Sequence, residues 1–254
     1  MEPSVPDGRR EVTRERFDAV LLDLDGVITD TARIHTAAWK EMFDAFLRRR
    51  AEAGGEAFRP FDPDGDYRVH VDGKPRFDGV RDFLASREIR LPEGAPDDLP
   101  DAETVHGLGN RKDELVNRAI ASQGVESYPG TVAWLHRIRG AGMQTAVVSS
   151  SSNCAAVLEA AKLSDLFDTR VDGLVIVELG IPGKPAPDSF LEAARRLGVA
   201  PARAVVVEDA LSGVRAGRTG GFGLVIGVAR KGDADALAAE GADLVVEDLA
   251  ELLS

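Results

Sequence analysis

The stretch Phe17-Asp18-Ala19-Val20-Leu21-Leu22-Asp23-Leu24-Asp25-Gly26-Val27 decides the fold. Its apolar centre has the length and composition of a buried β-strand, and two carboxylates follow at its C-terminal end. In open α/β sheets that end of a strand faces the ligand. Asp23 and Asp25 stand two residues apart, so an extended backbone would project both to one side. Negative charge gathered there serves a metal, a proton or an electrophile. Gly26 permits a tight turn out of the strand. A D-x-D pair alone is equally consistent with an acidic strand end or a stray calcium, so the residues downstream must decide.

Those residues repeat the arrangement. Thr145-Ala146-Val147-Val148 reads as a second strand, and Ser149-Ser150-Ser151-Ser152-Asn153 follows it. Hydroxyls and backbone N–H groups at such a place can hold phosphate oxygens or merely cap a helix. Gly183-Lys184-Pro185-Ala186-Pro187-Asp188 places a lysine in a segment stiffened by two prolines. Near carboxylates it would neutralise both a nucleophile and a phosphate. Ala204-Val205-Val206-Val207 is a third buried run and ends in Glu208-Asp209. So many acids at neighbouring strand ends require a cation, and an all-oxygen donor set suits Mg²⁺.

Between these landmarks strands and helices alternate. Helices are expected over 132–140, 153–161, 189–197, 213–218 and 235–240. Further strands are expected over 171–177, 223–228 and 243–246. Alternation of this kind predicts a Rossmann-like, doubly wound, mostly parallel α/β sheet. Residues 32–126 show no strand pattern. Ala32 to Ala53 is helical, with Ile34, Ala38, Met42, Ala45 and Phe46 on one face and Gly54-Gly55 as its stop. Shorter helices are expected over 79–88, 102–108 and 111–122. The organisation read from this is a flexible tail (1–16), an α/β core (17–30 and 128–254) and an inserted helical cap (31–127).

Composition excludes several classes. With 43 acidic against 31 basic residues the net charge is −12, which disfavours nucleic-acid and anionic-membrane surfaces. Cys154 is the only cysteine among 254 residues, so no intramolecular disulfide forms and a reducing compartment fits. No apolar run approaches the ~20 residues that span a bilayer. Met1 to Arg16 lacks a signal-peptide pattern. A cytoplasmic, monomeric enzyme acting on a small molecule is expected.

Taken in order, Asp23-Leu24-Asp25-Gly26-Val27, Ser149, Gly183-Lys184-Pro185-Ala186-Pro187 and Glu208-Asp209 resemble the four signatures of the haloacid dehalogenase superfamily. Ile28-Thr29-Asp30-Thr31-Ala32 and His35 are similar to its β-phosphoglucomutase branch. The resemblance implies Asp23 as the nucleophile that becomes an aspartyl phosphate and Asp25 as the general acid/base. Ser149 would contact the transferring phosphate, with Lys184 as its counter-charge. It also implies Mg²⁺ held by Asp23, Asp209 and the Asp25 carbonyl, with Glu208 ordering metal-bound water. Thr31 and His35 would orient Asp25. Ser151, Ser152 and Asn153 fall where relatives bind a second phosphate, although Ser152 replaces a commonly basic residue.

Within the cap, Val71-Asp72-Gly73-Lys74-Pro75-Arg76-Phe77-Asp78-Gly79-Val80 is similar to the cap loop of that branch. The implied substrate-binding residues are Gly73, Lys74, Arg76 on the non-transferring phosphate, and Lys112 on the sugar. The reaction implied is Mg²⁺-dependent interconversion of β-glucose 1-phosphate and glucose 6-phosphate through glucose 1,6-bisphosphate. A dehalogenase reading fits poorly, because its nucleophile lacks the second aspartate. A phosphonate hydrolase would need a Schiff-base lysine, for which Lys74 or Lys112 would have to serve. Two alternatives stay open: a sugar-phosphate phosphatase, and a non-catalytic phosphate-binding regulator.

Overall fold

The computed structural model describes residues 11–253 apart from Glu56 and Lys231. The α/β unit is built on a six-stranded sheet in the order β3-β2-β1-β4-β5-β6, with every pairing parallel. The strands are β1 (Ala19–Leu22), β2 (Gln144–Val148), β3 (Thr169–Val171), β4 (Ala204–Glu208), β5 (Leu224–Val228) and β6 (Leu244–Val246). β1 is fully buried along its length, as an unalternating apolar strand covered on both faces must be. It lies between β2 and β4, where the direction of strand addition reverses, the place at which such sheets bind ligands.

Register brings the polar strand ends level. Leu22 lies opposite Val147 on one side and Val207 on the other. Asp23, Ser149 and Glu208 therefore emerge together at the carboxyl edge. Helices α4 (Pro129–Gly140), α5 (Cys154–Ala160), α6 (Gly173–Leu179), α7 (Asp188–Leu197), α8 (Leu211–Thr219) and α9 (Ala234–Glu240) complete this unit. Its core joins Leu21, Val148, Phe190, Val206 and Val225. Cys154, the first residue of α5, is buried, and burial, then the charges of Asp25 and Asp172, push its thiol well above the ordinary range.

The helical unit comprises α1 (Ala32–Gly54), α2 (Arg76–Ser86), α3 (Val105–Gln123) and a π-helical turn, Tyr67–Val71. Gly55 closes α1 in the left-handed conformation at φ +66°. Its core is aromatic: Phe43 stacks on Trp39 and Phe61, each at 5.3 Å, and meets Phe83 at 4.0 Å.

The structure corrects several expectations. The apolar run 171–177 is not one strand. β3 stops at Val171, and Asp172 then caps α6 by accepting from the Leu174 and Val175 N–H groups. Helices 102–108 and 111–122 are one, α3. Gly109, between the two expected segments, is a close contact rather than a break, since a Cβ there would lie 2.5 Å from Phe77. Ala45 is exposed, and Phe43 and Leu47 take the buried face instead. Contacts divide the chain at 30/31 and 125/126. Residues 126–127 belong with the sheet, because Asp30 N–H donates to the Glu126 carbonyl and Thr29 bridges to Ser127. Of the expected tail, 1–10 lie outside the described residues. Residues 11–16 form a turn to which Arg203 donates at the Glu15 carbonyl (3.0 Å).

Candidate active site

β1 ends at Leu22, so Asp23 and Asp25 sit in the loop beyond it rather than on an extended strand. The loop is closed on itself: Asp25 N–H donates to Asp23 Oδ2 (2.9 Å), and Gly26 N–H donates to the Thr29 carbonyl (2.8 Å). Gly26 has φ +92°, and a Cβ there would lie 2.0 Å from Asp209 Oδ2. Glycine is thus required twice, by conformation and by the approach of that carboxylate.

Lys184 is the hub of the centre. Only 2% exposed, its Nζ donates to Asp23 Oδ1 (2.5 Å), Glu208 Oε1 (2.5 Å) and the Val148 carbonyl (3.1 Å). All three donors of the ammonium are used. Burial works against its charge, but Asp23 and Glu208 override that and raise its pKa. Burial pushes the Asp23 carboxyl up to about 6 and the Glu208 carboxyl up to about 7, with Lys184 opposing both. One lysine does not neutralise two buried acids with Asp209 beside them. Carboxylate oxygens of Asp23, Glu208 and Asp209 lie within 4.8 Å of one another. A hard divalent cation fits this donor set. Glu208 is partly committed, since its Oε2 accepts from Ala210 N–H (3.0 Å) and its carboxylate fills the space over Gly213.

The serine segment forms a fixed cradle. Ser149 is buried, and its Oγ accepts from Ser151 N–H (3.0 Å), while Ser151 Oγ accepts from Asn153 N–H (3.2 Å). Ser152 and Asn153 are half-buried beside them. Gly173 packs on this turn, where a Cβ would lie 2.9 Å from the Ser152 nitrogen.

In the helical unit the expected substrate residues fall into separate groups. His35 and Lys112, 77 residues apart, meet in its interior at 2.8 Å, Lys112 Nζ donating to His35 Nδ1. An ammonium cannot accept, so the imidazole is neutral with its proton on Nε2. Burial, then the Lys112 charge, hold His35 well below its ordinary pKa. Arg76 pairs with Asp113 (3.2 Å) and donates to Asn110 (3.3 Å). Lys74 is turned into a local knot, donating to Asp82 and to the Val69 carbonyl (3.1 Å). Gly73 supplies the preceding left-handed turn at φ +70°, and Thr31 is fully buried before α1.

A depressed histidine pKa gives a signed expectation. The unfolded chain binds a proton that buried His35 refuses, so this contribution is intact above pH ~6.5 and is lost as pH falls below it. Thermal melts at pH 7.5 and pH 5 should differ more for the native chain than for His35→Gln. Equal differences would remove the imidazole from the account.

One supporting group escaped the sequence reading. Arg230, just past β5, donates from Nε to the Gly26 carbonyl (3.0 Å), from Nη2 to Thr131 Oγ1 (3.3 Å) and from Nη1 to Asp248 (2.7 Å). Its guanidinium lies 3.6 Å from the centroid of Tyr128, whose hydroxyl donates to Asp30 (3.0 Å). The loop carrying Asp23 and Asp25 is held through this network. Arg230→Met should lower kcat by roughly 10- to 100-fold with little change in KM, because misplacement acts on the reacting geometry. Unaltered kcat would show that the loop holds itself.

A doubly wound α/β sheet with a helical insertion after β1, and a carboxylate–lysine centre at its switch point, defines a class of enzyme. A family profile described as haloacid dehalogenase-like hydrolase matches residues 17–221. The chain belongs to that family, in its β-phosphoglucomutase-like branch. It is 52% identical to a β-phosphoglucomutase of Mycobacterium bovis, over 99% of this chain and 98% of that protein. It is 31% identical to the β-phosphoglucomutase of Bacillus subtilis, over 92% and 91% of the two chains. The crystal structure of a β-phosphoglucomutase from Clostridium difficile matches with a TM-score of 0.72 at 24% identity, covering 93% of each chain, and speaks to the fold. No helix among the described residues is long and apolar enough to cross a membrane.

Proposed function

We propose that this enzyme interconverts β-glucose 1-phosphate and glucose 6-phosphate by way of a phosphorylated Asp23 and glucose 1,6-bisphosphate. The observation that carries the reading is the 52% identity to a β-phosphoglucomutase along the whole length, helical unit included. The buried Asp23–Lys184–Glu208 centre supports it independently. Asp23, Asp209 and Glu208 would hold Mg²⁺, which when bound supplies charge neutralisation at the transferring phosphoryl group.

The chain's own residues account for the rest. Asp23 is the nucleophile; Lys184 fixes one carboxylate oxygen and offsets repulsion between that carboxylate and the phosphoryl oxygens. Ser149 and the turn after it offer a hydroxyl and N–H groups to those oxygens. Asp25, anchored at its own N–H, takes the proton from the attacking sugar hydroxyl and returns one to the departing oxygen in the reverse half-cycle. Arg76 would hold the phosphate that is not being transferred, and Lys112 the sugar.

The test follows glucose 6-phosphate and free phosphate together, from β-glucose 1-phosphate with Mg²⁺ and a trace of bisphosphate. Glucose 6-phosphate without stoichiometric phosphate supports the mutase. Predominant free phosphate would replace it with a phosphatase. Absence of both products and of any phosphoenzyme would point to a binding protein.

A further inference from the structure

The helical unit holds a cavity that the proposed reaction does not use. It has a volume of about 310 Å³ and is lined by Leu47, Arg50, Ala51, Ala57, Arg59, Arg87, Glu88 and Ile89. That volume is at the lower end of small-molecule sites, about 300–1,000 Å³. It lies at the far end of α1 from His35: fifteen residues separate His35 from Arg50, about 22 Å of helix at 1.5 Å per residue.

Its charge is unusual for this chain. Arg87 is fixed in the wall, its side chain 14% exposed, donating to Asp66 (2.5 Å) and the Pro60 carbonyl (3.2 Å) while covering the Phe83 ring. Arg50 and Arg59 have no ion pair, side-chain hydrogen bond or ring contact among the described residues. Most other described arginines of this acidic protein have partners, as Arg49 faces Glu103, Arg195 and Arg196 share Glu192, and Arg215 meets Glu240, Arg68 and Arg90 being exceptions that lie outside this lining. Two unpaired guanidinium groups at one concavity offer the forked donors that a phosphate accepts.

The rest of the lining narrows the ligand. Glu88 closes α2 in the left-handed conformation, at φ +57°. That conformation ends the helix, with Glu88 N–H donating to the Ala85 carbonyl and Ile89 N–H to the Leu84 carbonyl, and it sets Glu88 in the lining beside Arg87. Its carboxylate would repel a second anionic group and accept hydrogen bonds from hydroxyls. Leu47, Ala51 and Ile89 present carbon to the C–H face of a ring or chain. We infer that this cavity is a binding site for a sugar monophosphate, separate from the catalytic centre. The ligand's phosphate would lie on Arg50 and Arg59 and its hydroxyls would face Glu88. The site does not depend on the reaction proposed above.

The test is a titration of the ¹⁵N-labelled full chain with glucose 6-phosphate, read residue by residue by NMR. Amides of Arg50, Ala51, Ala57, Glu88 and Ile89 should shift together and saturate. Arg50→Ser/Arg59→Ser, both at exposed positions, should weaken that group's affinity at least tenfold. The response of Ser149–Asn153 and the thermal midpoint should stay as in the native chain. Glu88→Gln should weaken glucose 6-phosphate there without weakening sulfate. Shifts confined to 149–153 would overturn the site. Equal shifts with sodium sulfate at matched ionic strength would overturn the sugar-phosphate assignment.

Discussion

Asp23→Asn is expected to abolish turnover, by roughly 10⁶-fold if its loss resembles that of other covalent nucleophiles. An amide oxygen keeps the shape that accepts Asp25 N–H, so the loop after β1 should survive. The charge, and with it the capacity to form an acyl phosphate, does not. Lys184 retains Glu208 as a partner at 2.5 Å, so the variant should fold with a thermal midpoint close to that of the native chain. Asp25→Asn should behave differently. General acid/base catalysis is worth about 10²–10⁴, and its loss should slow transfer to and from the sugar while leaving Asp23 able to take a phosphoryl group. Intact-mass measurement after exposure to bisphosphate and Mg²⁺ separates the two. The Asp25 variant should carry one phosphoryl group and the Asp23 variant none. A phosphorylated Asp23→Asn would move the nucleophile elsewhere.

The parts of this chain legible in its sequence are those fixed by local pattern. Ala19–Leu22, Thr145–Val148 and Ala204–Val207 are short apolar runs, the latter two rich in β-branched residues, and each is followed by polar residues. Parallel register then brings those residues together, which is why Asp23, Ser149 and Glu208 could be gathered from spacing and family resemblance. Where a local pattern had two readings, the sequence misled. Leu174-Val175-Ile176-Val177 has the composition of a strand, yet Asp172 before it and Gly180 after it are helix caps, and the caps prevailed. The expected helix breaks at Gly109 because the ring of Phe77, which needs the room a Cβ would take, lies some thirty residues away. Pairings over long separations, Arg230 with the Gly26 carbonyl or Lys112 with His35, left no local signal.

Lys184→Met should be the most destabilising single change at the site. Methionine matches the length of the stem but leaves Asp23 and Glu208, both buried, without their shared cation. Removing one partner of a buried ion pair costs about 3–5 kcal/mol, because the remaining charge stays desolvated. The pH dependence should identify the cause. Both carboxyls are already raised in the native chain, to about 6 and about 7, above ordinary values near 4. For an acid whose folded pKa is raised, stability is intact below the unfolded pKa and declines as pH rises through the folded one. The metal-free native chain should therefore lose part of this contribution between about pH 4 and pH 7. With the ammonium gone, both values rise further, so the deficit of Lys184→Met should be largest at pH 8 and should shrink towards pH 5. Millimolar Mg²⁺ should recover part of it at pH 8, by supplying the positive charge that the lysine no longer brings. Thermal melts of the native chain and the variant at the two pH values, with Mg²⁺ and with chelator, measure all of this. A deficit independent of pH and Mg²⁺ would mean that Lys184 contributes packing, and that the two acids do not rely on its charge.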